Sequence, residues 1–149
     1  VDSQLFNSTV YDEIAFGPRQ LGLTEEVSQR VQDTLSLLKI EDLRDRVPYQ
    51  LSGGEKKKVA FASIMVTNPD VYILDEPFNN LSKEYEEFFR ELLHELHSAG
   101  KTIIMSAHHF KHLHHEKADV LLFEDGKADF FPAQEVLSNQ QVIERLSHY

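Results

Sequence analysis

Groups that could bind phosphate and a metal ion are concentrated in two short motifs of this sequence. The first is Leu-Ser-Gly-Gly-Glu at residues 51–55, and the second is an apolar run at residues 71–74 followed by Asp75 and Glu76. A Ser-Gly-Gly turn that opens a helix presents free backbone N–H groups and the positive end of the helix dipole, which suits a phosphate. Two adjacent carboxylates at the end of a strand can serve a metal ion and a water molecule. The two motifs together therefore indicate metal-assisted chemistry on a phosphate.

The elements that must position these motifs follow from the hydrophobic pattern. Four strands are predicted, at residues 71–74, 102–105, 120–123 and 128–131, with Asp125-Gly126 as a hairpin signal before the last one. Helices are predicted at residues 54–67, along an apolar stripe from Tyr85 to near Gly100, and over residues 133–149. Strands separated by single helices indicate an α/β fold with a parallel sheet. In such a sheet we expect the strand at residues 71–74 to be buried.

The first third of the chain contains less specific signals. An apolar-rich segment over residues 9–17 is expected to end at Gly17-Pro18, because this dipeptide interrupts regular structure. Thr24 is expected to cap a helix that carries apolar residues 27, 31, 35 and 38 on one face.

Composition narrows the class of protein. The 149 residues suffice for one core, or for one core with a small appended unit. The formal net charge of −10 argues against a broad nucleic-acid-binding or anionic-membrane-binding surface. The absence of cysteine excludes disulfides and fits a reducing cytosol. No segment of the sequence has the apolar length of a membrane span.

Taken in this order, with His108 after a second apolar strand, the motifs resemble the later two-thirds of an ABC-type ATPase. The resemblance implies an α/β fold, namely the C-terminal portion of a RecA-like P-loop domain with a helical subdomain. It places the helical subdomain with the signature motif at residues 1–69. Residues 70–149 would then be the C-terminal part of the RecA-like core.

The resemblance also implies the roles of the site residues, with ATP and Mg²⁺ as cofactors. Asp75 matches the Walker B aspartate that holds Mg²⁺, and Glu76 would orient or deprotonate the attacking water. His108 matches the switch histidine that contacts the γ-phosphate. The residues of the signature motif are Ser52, Gly53, Gly54 and Glu55. The resemblance implies that they face a nucleotide held by a second ATPase subunit. A strand end with solvated carboxylates and an ordinary helix cap are the simpler interpretations of these motifs.

A narrower resemblance lies in residues 4–18, Gln-Leu-Phe-Asn-Ser-Thr-Val-Tyr-Asp-Glu-Ile-Ala-Phe-Gly-Pro, followed by Leu-Gly-Leu at residues 21–23. These residues are similar to energy-coupling-factor and cobalt-type importer ATPases. The resemblance implies a subunit that powers uptake of a vitamin or a transition-metal ion. It would bind a transmembrane transporter subunit and a second ABC ATPase subunit, without nucleic acid, as a cytoplasmic protein peripheral to the inner face of the cell membrane.

The 149 residues contain no Walker A motif, G-x-x-x-x-G-K-[ST]. Gly100-Lys101-Thr102 mimics its end, but Glu95 stands in place of the first glycine and a strand follows instead of a helix. We therefore expect ATPase activity only in a complete subunit and an inactive chain in isolation. Because the resemblance also leaves the core sheet without neighbouring strands, we expect the isolated chain to self-associate.

Several residues depart from the family pattern. Ser82 replaces the usual aspartate that couples the two sites of the dimer, while Ala107 and His109 flank the switch histidine in place of the commoner Thr and Asp.

Five histidines between residues 108 and 115 could form a metal site, since His108 and His112 have the i,i+4 spacing of metal ligands on a helix. A cytosolic ATPase has no need to bind its cargo, however, which argues against a metal-binding role for these histidines.

Two other functions fit parts of the sequence. Residues 51–56 and 79–81 are also similar to translation-associated ABC-F proteins and SMC-type repair ATPases, which act on nucleic acids. The acidic balance and residues 4–18 disfavour these families. A truncated, non-catalytic ABC module that supplies only a signature face is the third hypothesis.

Overall fold

A computed structural model describes residues 7–23, 25–108 and 118–148. Its helices are α1 (Val10–Gln20), α2 (Val27–Leu38), α3 (Gly53–Met65), α4 (Lys83–Ser98), α5 (Ala133–Ser138) and α6 (Gln140–Leu146). Its strands are β1 (Val71–Leu74), β2 (Thr102–Met105), β3 (Val120–Glu124) and β4 (Lys127–Phe131). Within these described ranges, no helix is long and apolar enough to cross a membrane. The order of elements confirms the predicted α/β class.

The chain divides into two compact units. One unit is drawn from residues 1–72 and 80–103, and the other from residues 73–79 and 104–149. The predicted division between residues 69 and 70 stays a prediction.

The first unit is built on three helices that share a core. Helix α1 packs against α2 and α3, and α2 packs against α3. The apolar side chains predicted for one face of α2 are buried, and they are Val27, Val31, Leu35 and Leu38. Helix α1 begins after Thr9, whose side chain accepts a hydrogen bond from the Asp12 N–H. The amphipathic pattern of α2 is thus satisfied by helix-on-helix packing.

The expected interruption at Gly17-Pro18 is wrong, because α1 continues through both residues to Gln20. A proline inside a helix removes one backbone donor and commonly costs about 3 kcal/mol. Here Pro18 is among the fully buried side chains, and the last turn is closed by a hydrogen bond from Leu21 N to Gly17 O of 3.1 Å. Burial of the ring near the end of the helix offsets the lost hydrogen bond.

An aromatic cluster joins α3, α4 and β1 in the first unit. Phe61 stacks on Tyr72 at 5.8 Å between ring centroids and meets Phe89 edge-to-face at 5.7 Å.

Helix α4 is followed by Gly100, which has φ +88°, and the N–H of Lys101 donates a hydrogen bond to Leu96 O. This is the Schellman arrangement that favours glycine, so the predicted end of α4 at Gly100 is confirmed.

Strands β1 and β2 form a two-stranded sheet that runs parallel. Thr102 N donates to Asp70 O at 2.9 Å, and Ser106 N donates to Leu74 O at 3.0 Å, so pairing advances in the same direction on both strands. The expectation of a buried β1 is only partly right. Tyr72 and Leu74 are buried, whereas Ile73 is 75% exposed.

The second unit contains the predicted hairpin. Strands β3 and β4 pair antiparallel, and the turn residues Asp125 and Gly126 both have positive φ, 48° and 75°. These angles suit a type I′ turn, which explains the Asp-Gly sequence. Helices α5 and α6 contribute to a small core with the hairpin, consisting of Val120, Val136, Val142 and Leu146. Arg145 secures this core at its edge by bonding to Glu124 at 2.9 Å and to Asp129 at 2.6 Å.

Candidate functional site

The carboxyl ends of β1 and β2 bring Asp75 and Ser106 together within the second unit. Ser106 Oγ donates to Asp75 Oδ1 at 2.5 Å and accepts from the Glu76 N–H at 3.0 Å. The ends of parallel strands lie at one edge of the sheet, so residues that follow β1 and β2 become neighbours there. One hydroxyl thus connects both members of the acidic pair.

The Glu76 carboxylate is held at both oxygens. His108 Nε2 lies 2.6 Å from Glu76 Oε1, and Asn79 Nδ2 donates to Glu76 Oε2 at 2.7 Å. The backbone of Glu76 has φ +44°, in the left-handed region that non-glycine residues rarely adopt. Backbone strain of this kind is concentrated at functional sites, where the surrounding contacts maintain it.

These residues line a pocket that is open to solvent. Its wall consists of residues 76–79 and 106–108, all in the second unit. The His108 side chain is 79% exposed and that of Glu76 is 29% exposed, so both can be reached from solvent. A carboxylate and an imidazole facing one pocket are groups that can accept and donate a proton.

Asp75 can supply one carboxylate ligand to a Mg²⁺ ion. Mg²⁺ sites on phosphate substrates commonly use one or two carboxylates, with the remaining ligands coming from water and phosphate oxygens. Asp75 Oδ1 is bound by Ser106, and no described residue hydrogen-bonds to Oδ2. Within the described part of the chain, no group of three or more acidic or histidine side chains is placed to hold a metal ion. Asp75 therefore fits a shared Mg²⁺–phosphate site better than an all-protein metal site.

The signature turn is built as a capping box at the start of α3, in the first unit. Ser52 Oγ accepts from the Glu55 N–H at 3.3 Å, and the Ser52 N–H donates to Glu55 Oε2 at 2.8 Å. The Ser52 hydrogen bonds, first through its backbone N–H and then through its hydroxyl, hold the pKa of Glu55 below its usual value. The cap thus engages Ser52 and Glu55 with each other.

The two glycines of this turn differ in their surroundings. No described residue accepts a hydrogen bond from the N–H of Gly53 or Gly54, as is usual in the first turn of a helix. A Cβ at Gly53 would meet nothing within 4 Å, whereas one at Gly54 would lie 2.8 Å from the ring of Tyr85. The open amides fit a phosphate oxygen, and Gly54 has an additional packing reason to be glycine.

The structure brings together Asp75, Glu76 and His108 among the predicted site residues. Ser52, Gly53, Gly54 and Glu55 form a second group in the other unit. The remaining histidines of the cluster, from His109 to His115, lie outside the described residues.

Sequence reasoning missed Ser106 and Asn79 as members of the site. Ser106 could have been found, because it directly follows the predicted strand at residues 102–105, just as Asp75 follows the strand at residues 71–74. Asn79 gave no comparable signal, since its contact with Glu76 depends on how the chain turns after Pro77.

Comparison with known proteins identifies a family for this chain. The family model described as ABC transporter matches residues 2–79, more than half of the chain. The nickel import ATP-binding protein LarO of Lactiplantibacillus plantarum is 54% identical over 111 residues, covering 74% of this chain and 46% of that protein. The energy-coupling factor transporter ATP-binding protein EcfA of Carboxydothermus hydrogenoformans is 35% identical over 145 residues, covering 97% of this chain and 54% of that protein.

A solved structure is similar over nearly the whole chain. It is cbiO1 from Clostridium perfringens, part of the ABC transporter complex cbiONQ, with 33% identity and a TM-score of 0.79 over 97% of this chain and 59% of that one. The chain spans about half the length of the curated relatives it matches. The predicted resemblance to ABC ATPases of the energy-coupling-factor and cobalt type and the predicted RecA-like fold are confirmed. The chain belongs to the ABC transporter family.

Proposed function

We propose that this chain is part of the ATP-binding and ATP-hydrolysing subunit of an ABC importer. The observation that carries the proposal is the contact of 2.6 Å between His108 Nε2 and Glu76 Oε1 at the edge of a parallel strand pair, directly after Asp75. The family membership and the names of the similar proteins, which include a nickel importer and an energy-coupling factor transporter, support it.

Three side chains have separate roles in the proposed reaction. Bound ATP would supply the reactive γ-phosphoryl group, and bound Mg²⁺ would neutralise the charge that develops on this group. Asp75 would contribute a carboxylate oxygen to the metal. Glu76 would orient the attacking water and accept its proton. The contacts at Oε1 and Oε2 hold its carboxylate in place at the pocket. His108 would contribute an imidazole N–H to the γ-phosphate.

The signature turn is proposed to act on a second nucleotide site. The open N–H groups of Gly53 and Gly54 at the start of α3 would approach the phosphates held by a second ATPase subunit, with Ser52 as the adjacent hydroxyl. Glu55 remains in the capping box and shapes the turn. This assignment requires a dimer, homomeric or heteromeric, for activity.

We propose that the importer carries a vitamin or a transition-metal ion. The subunit would act at the inner face of the cell membrane, bound to a transmembrane subunit through residues 1–69 as a helical subdomain. Residues 70–149 would carry the Walker B aspartate, the segment that ends at Ser82 and couples the two sites of a dimer (the D-loop), and the switch histidine. The similarity to proteins named for nickel and cobalt import supports a metal ion among the possible cargoes.

The test is to replace Glu76 by Gln in the complete subunit. An amide cannot accept the proton of the attacking water, so turnover should fall by roughly 10²- to 10⁴-fold. ATP binding should persist, because the amide keeps the shape of the side chain. Glu87→Gln, an exposed change on α4, is the matched control. Wild-type protein without ATP hydrolysis, or a Glu76→Gln variant with wild-type turnover, would refute the proposal.

A further inference from the structure

We infer that Ser106 is a positioning residue that sets the geometry of the acidic pair Asp75–Glu76. This inference rests on the proposed function, since it concerns the same pocket. Ser106 is not one of the residues on which the resemblance to ABC ATPases is based. Its importance comes from where β2 ends and from what its hydroxyl contacts.

The backbone of Ser106 is fixed by the strand pair. Its N–H donates to Leu74 O at 3.0 Å, which places the residue level with the end of β1. From there the hydroxyl reaches two groups of the neighbouring strand end. It donates its hydrogen to Asp75 Oδ1 at 2.5 Å and accepts from the Glu76 N–H at 3.0 Å.

Each of these two hydrogen bonds constrains a different property of the site. The bond to Asp75 Oδ1 leaves Oδ2 as the oxygen without a hydrogen bond from a described residue. The bond from the Glu76 N–H holds a backbone with φ +44°, a strained conformation for a non-glycine residue. The conformation of Glu76 in turn decides whether its carboxylate meets His108 and Asn79.

A purely structural role would require Ser106 to contribute to a core. Its side chain is instead exposed, so its truncation removes little packing. An alanine would leave the Glu76 N–H without its acceptor and would free the Asp75 carboxylate to rotate. We expect the damage to be confined to the geometry of the acidic pair. Small misplacements of reacting groups can cost up to about 10²-fold in rate.

The test compares Ser106→Ala with Ser106→Thr, which keeps the hydroxyl. Ser147→Ala is the matched control, because the one partner of Ser147 Oγ among the described residues is the helix carbonyl of Ile143, and Ser147 lies in the same unit. The first measurement is hydrogen exchange of the Glu76 amide in the 149-residue chain, with residue-level mass spectrometry. The second is kcat and KM for ATP in the complete subunit.

Ser106→Ala should accelerate exchange at Glu76 without accelerating it in α3, and should lower kcat roughly 10- to 100-fold with little change in KM. Ser106→Thr should restore both quantities toward wild type. The inference is overturned if Ser106→Ala behaves like Ser147→Ala, or if exchange rises throughout the chain. Should the wild-type subunit hydrolyse no ATP, the proposed function fails, and the exchange at Glu76 still decides whether Ser106 positions it.

Discussion

Gly54 lies so close to Tyr85 that a methyl group on its Cα would be 2.8 Å from the carbons of the ring. Gly54 belongs to the signature turn at the start of α3, and Tyr85 belongs to α4. The centroid of the same ring is 5.4 Å from Lys58 Nζ, so the ring contacts the first turn of α3 and lies near a cation about one turn further along. One glycine of the signature is therefore required by the packing of two helices, apart from any role toward a nucleotide.

The first prediction concerns this contact. Gly54→Ala should destabilise the chain by about 1–3 kcal/mol, because the ring must shift to admit the methyl group. Gly53→Ala is the control, since nothing lies within 4 Å of its Cβ position. Chemical denaturation of both variants measures the difference. In a Tyr85→Leu background the cost of Gly54→Ala should shrink, and an undiminished cost would show that the ring is not its cause.

The second prediction concerns the pH dependence of the capping box. Hydrogen bonds from Ser52 hold the pKa of Glu55 below the usual 4.5, so the folded state favours the ionised carboxylate. The resulting stability is present above pH 4.5 and is lost as the pH falls through the folded-state pKa. Glu55→Gln should therefore be less stable than wild type at pH 7, by a few tenths of a kcal/mol.

This difference should shrink as the pH falls from 4.5 through the folded-state pKa of Glu55, because the wild-type carboxylate then becomes protonated and resembles the amide. Unfolding free energies of both proteins between pH 3 and pH 7 provide the measurement, with Glu87→Gln as an exposed carboxylate outside the cap. A difference between wild type and Glu55→Gln that stays constant with pH would contradict the assigned cause.

The third prediction concerns His108. His108→Ala in the complete subunit should lower ATP turnover by roughly 10²-fold or more, because the imidazole both contacts Glu76 at 2.6 Å and faces the pocket. His97→Ala is the matched control, since His97 is an exposed histidine at the end of α4 in the other unit. Single-turnover kinetics with bound ATP separate the chemical step from binding. Near-parental turnover would remove His108 from the reaction.

The fourth prediction concerns the 149-residue chain by itself. It should bind Mg-ATP weakly and show no meaningful hydrolysis, because no Walker A motif is present in its sequence to cradle the β- and γ-phosphates. Asp75 offers a single carboxylate and cannot replace that cradle. Isothermal titration calorimetry tests this directly. Micromolar affinity for ATP would reveal a phosphate site that the sequence motifs do not account for.

The fifth prediction concerns self-association through an exposed apolar face of the β3–β4 hairpin. Leu121 pairs with Phe130 across the strands, and Phe123 lies two residues along on the same face. Leu121 is 54% exposed, Phe130 is 62% exposed and Phe123 is 73% exposed. A contiguous exposed apolar patch favours association, although the net charge of −10 opposes it.

Sedimentation velocity over a range of concentrations should show oligomers of the wild-type chain. Phe123→Thr should shift the distribution toward monomer, whereas Leu37→Thr, a change at an exposed leucine of α2 in the other unit, should not. A wild-type chain that sediments as one compact monomer at all concentrations would defeat this prediction.

Local sequence determined much of the architecture. The Asp125-Gly126 turn, the end of α4 at Gly100 and the buried face of α2 follow from backbone preferences and from a 3.6-residue period, which act within a few residues. Asp75, Glu76 and His108 were predicted as site residues from the resemblance to ABC ATPases, and their positions after predicted strands agree with that prediction. Each directly follows a predicted strand, or lies close after one, and parallel strands place such residues at a common edge.

Tertiary structure alone decided the remaining features, because they depend on contacts between residues far apart in the chain. Pro18 stays helical since its ring is buried, although its local preference is to end a helix. The alternating exposure of β1 depends on what covers each face of the sheet, which an apolar run of four residues cannot specify. The bridge from Ser106 to Asp75 and Glu76 exists because the register of β2 on β1 brings one hydroxyl level with both residues, and no spacing along the sequence encodes that register.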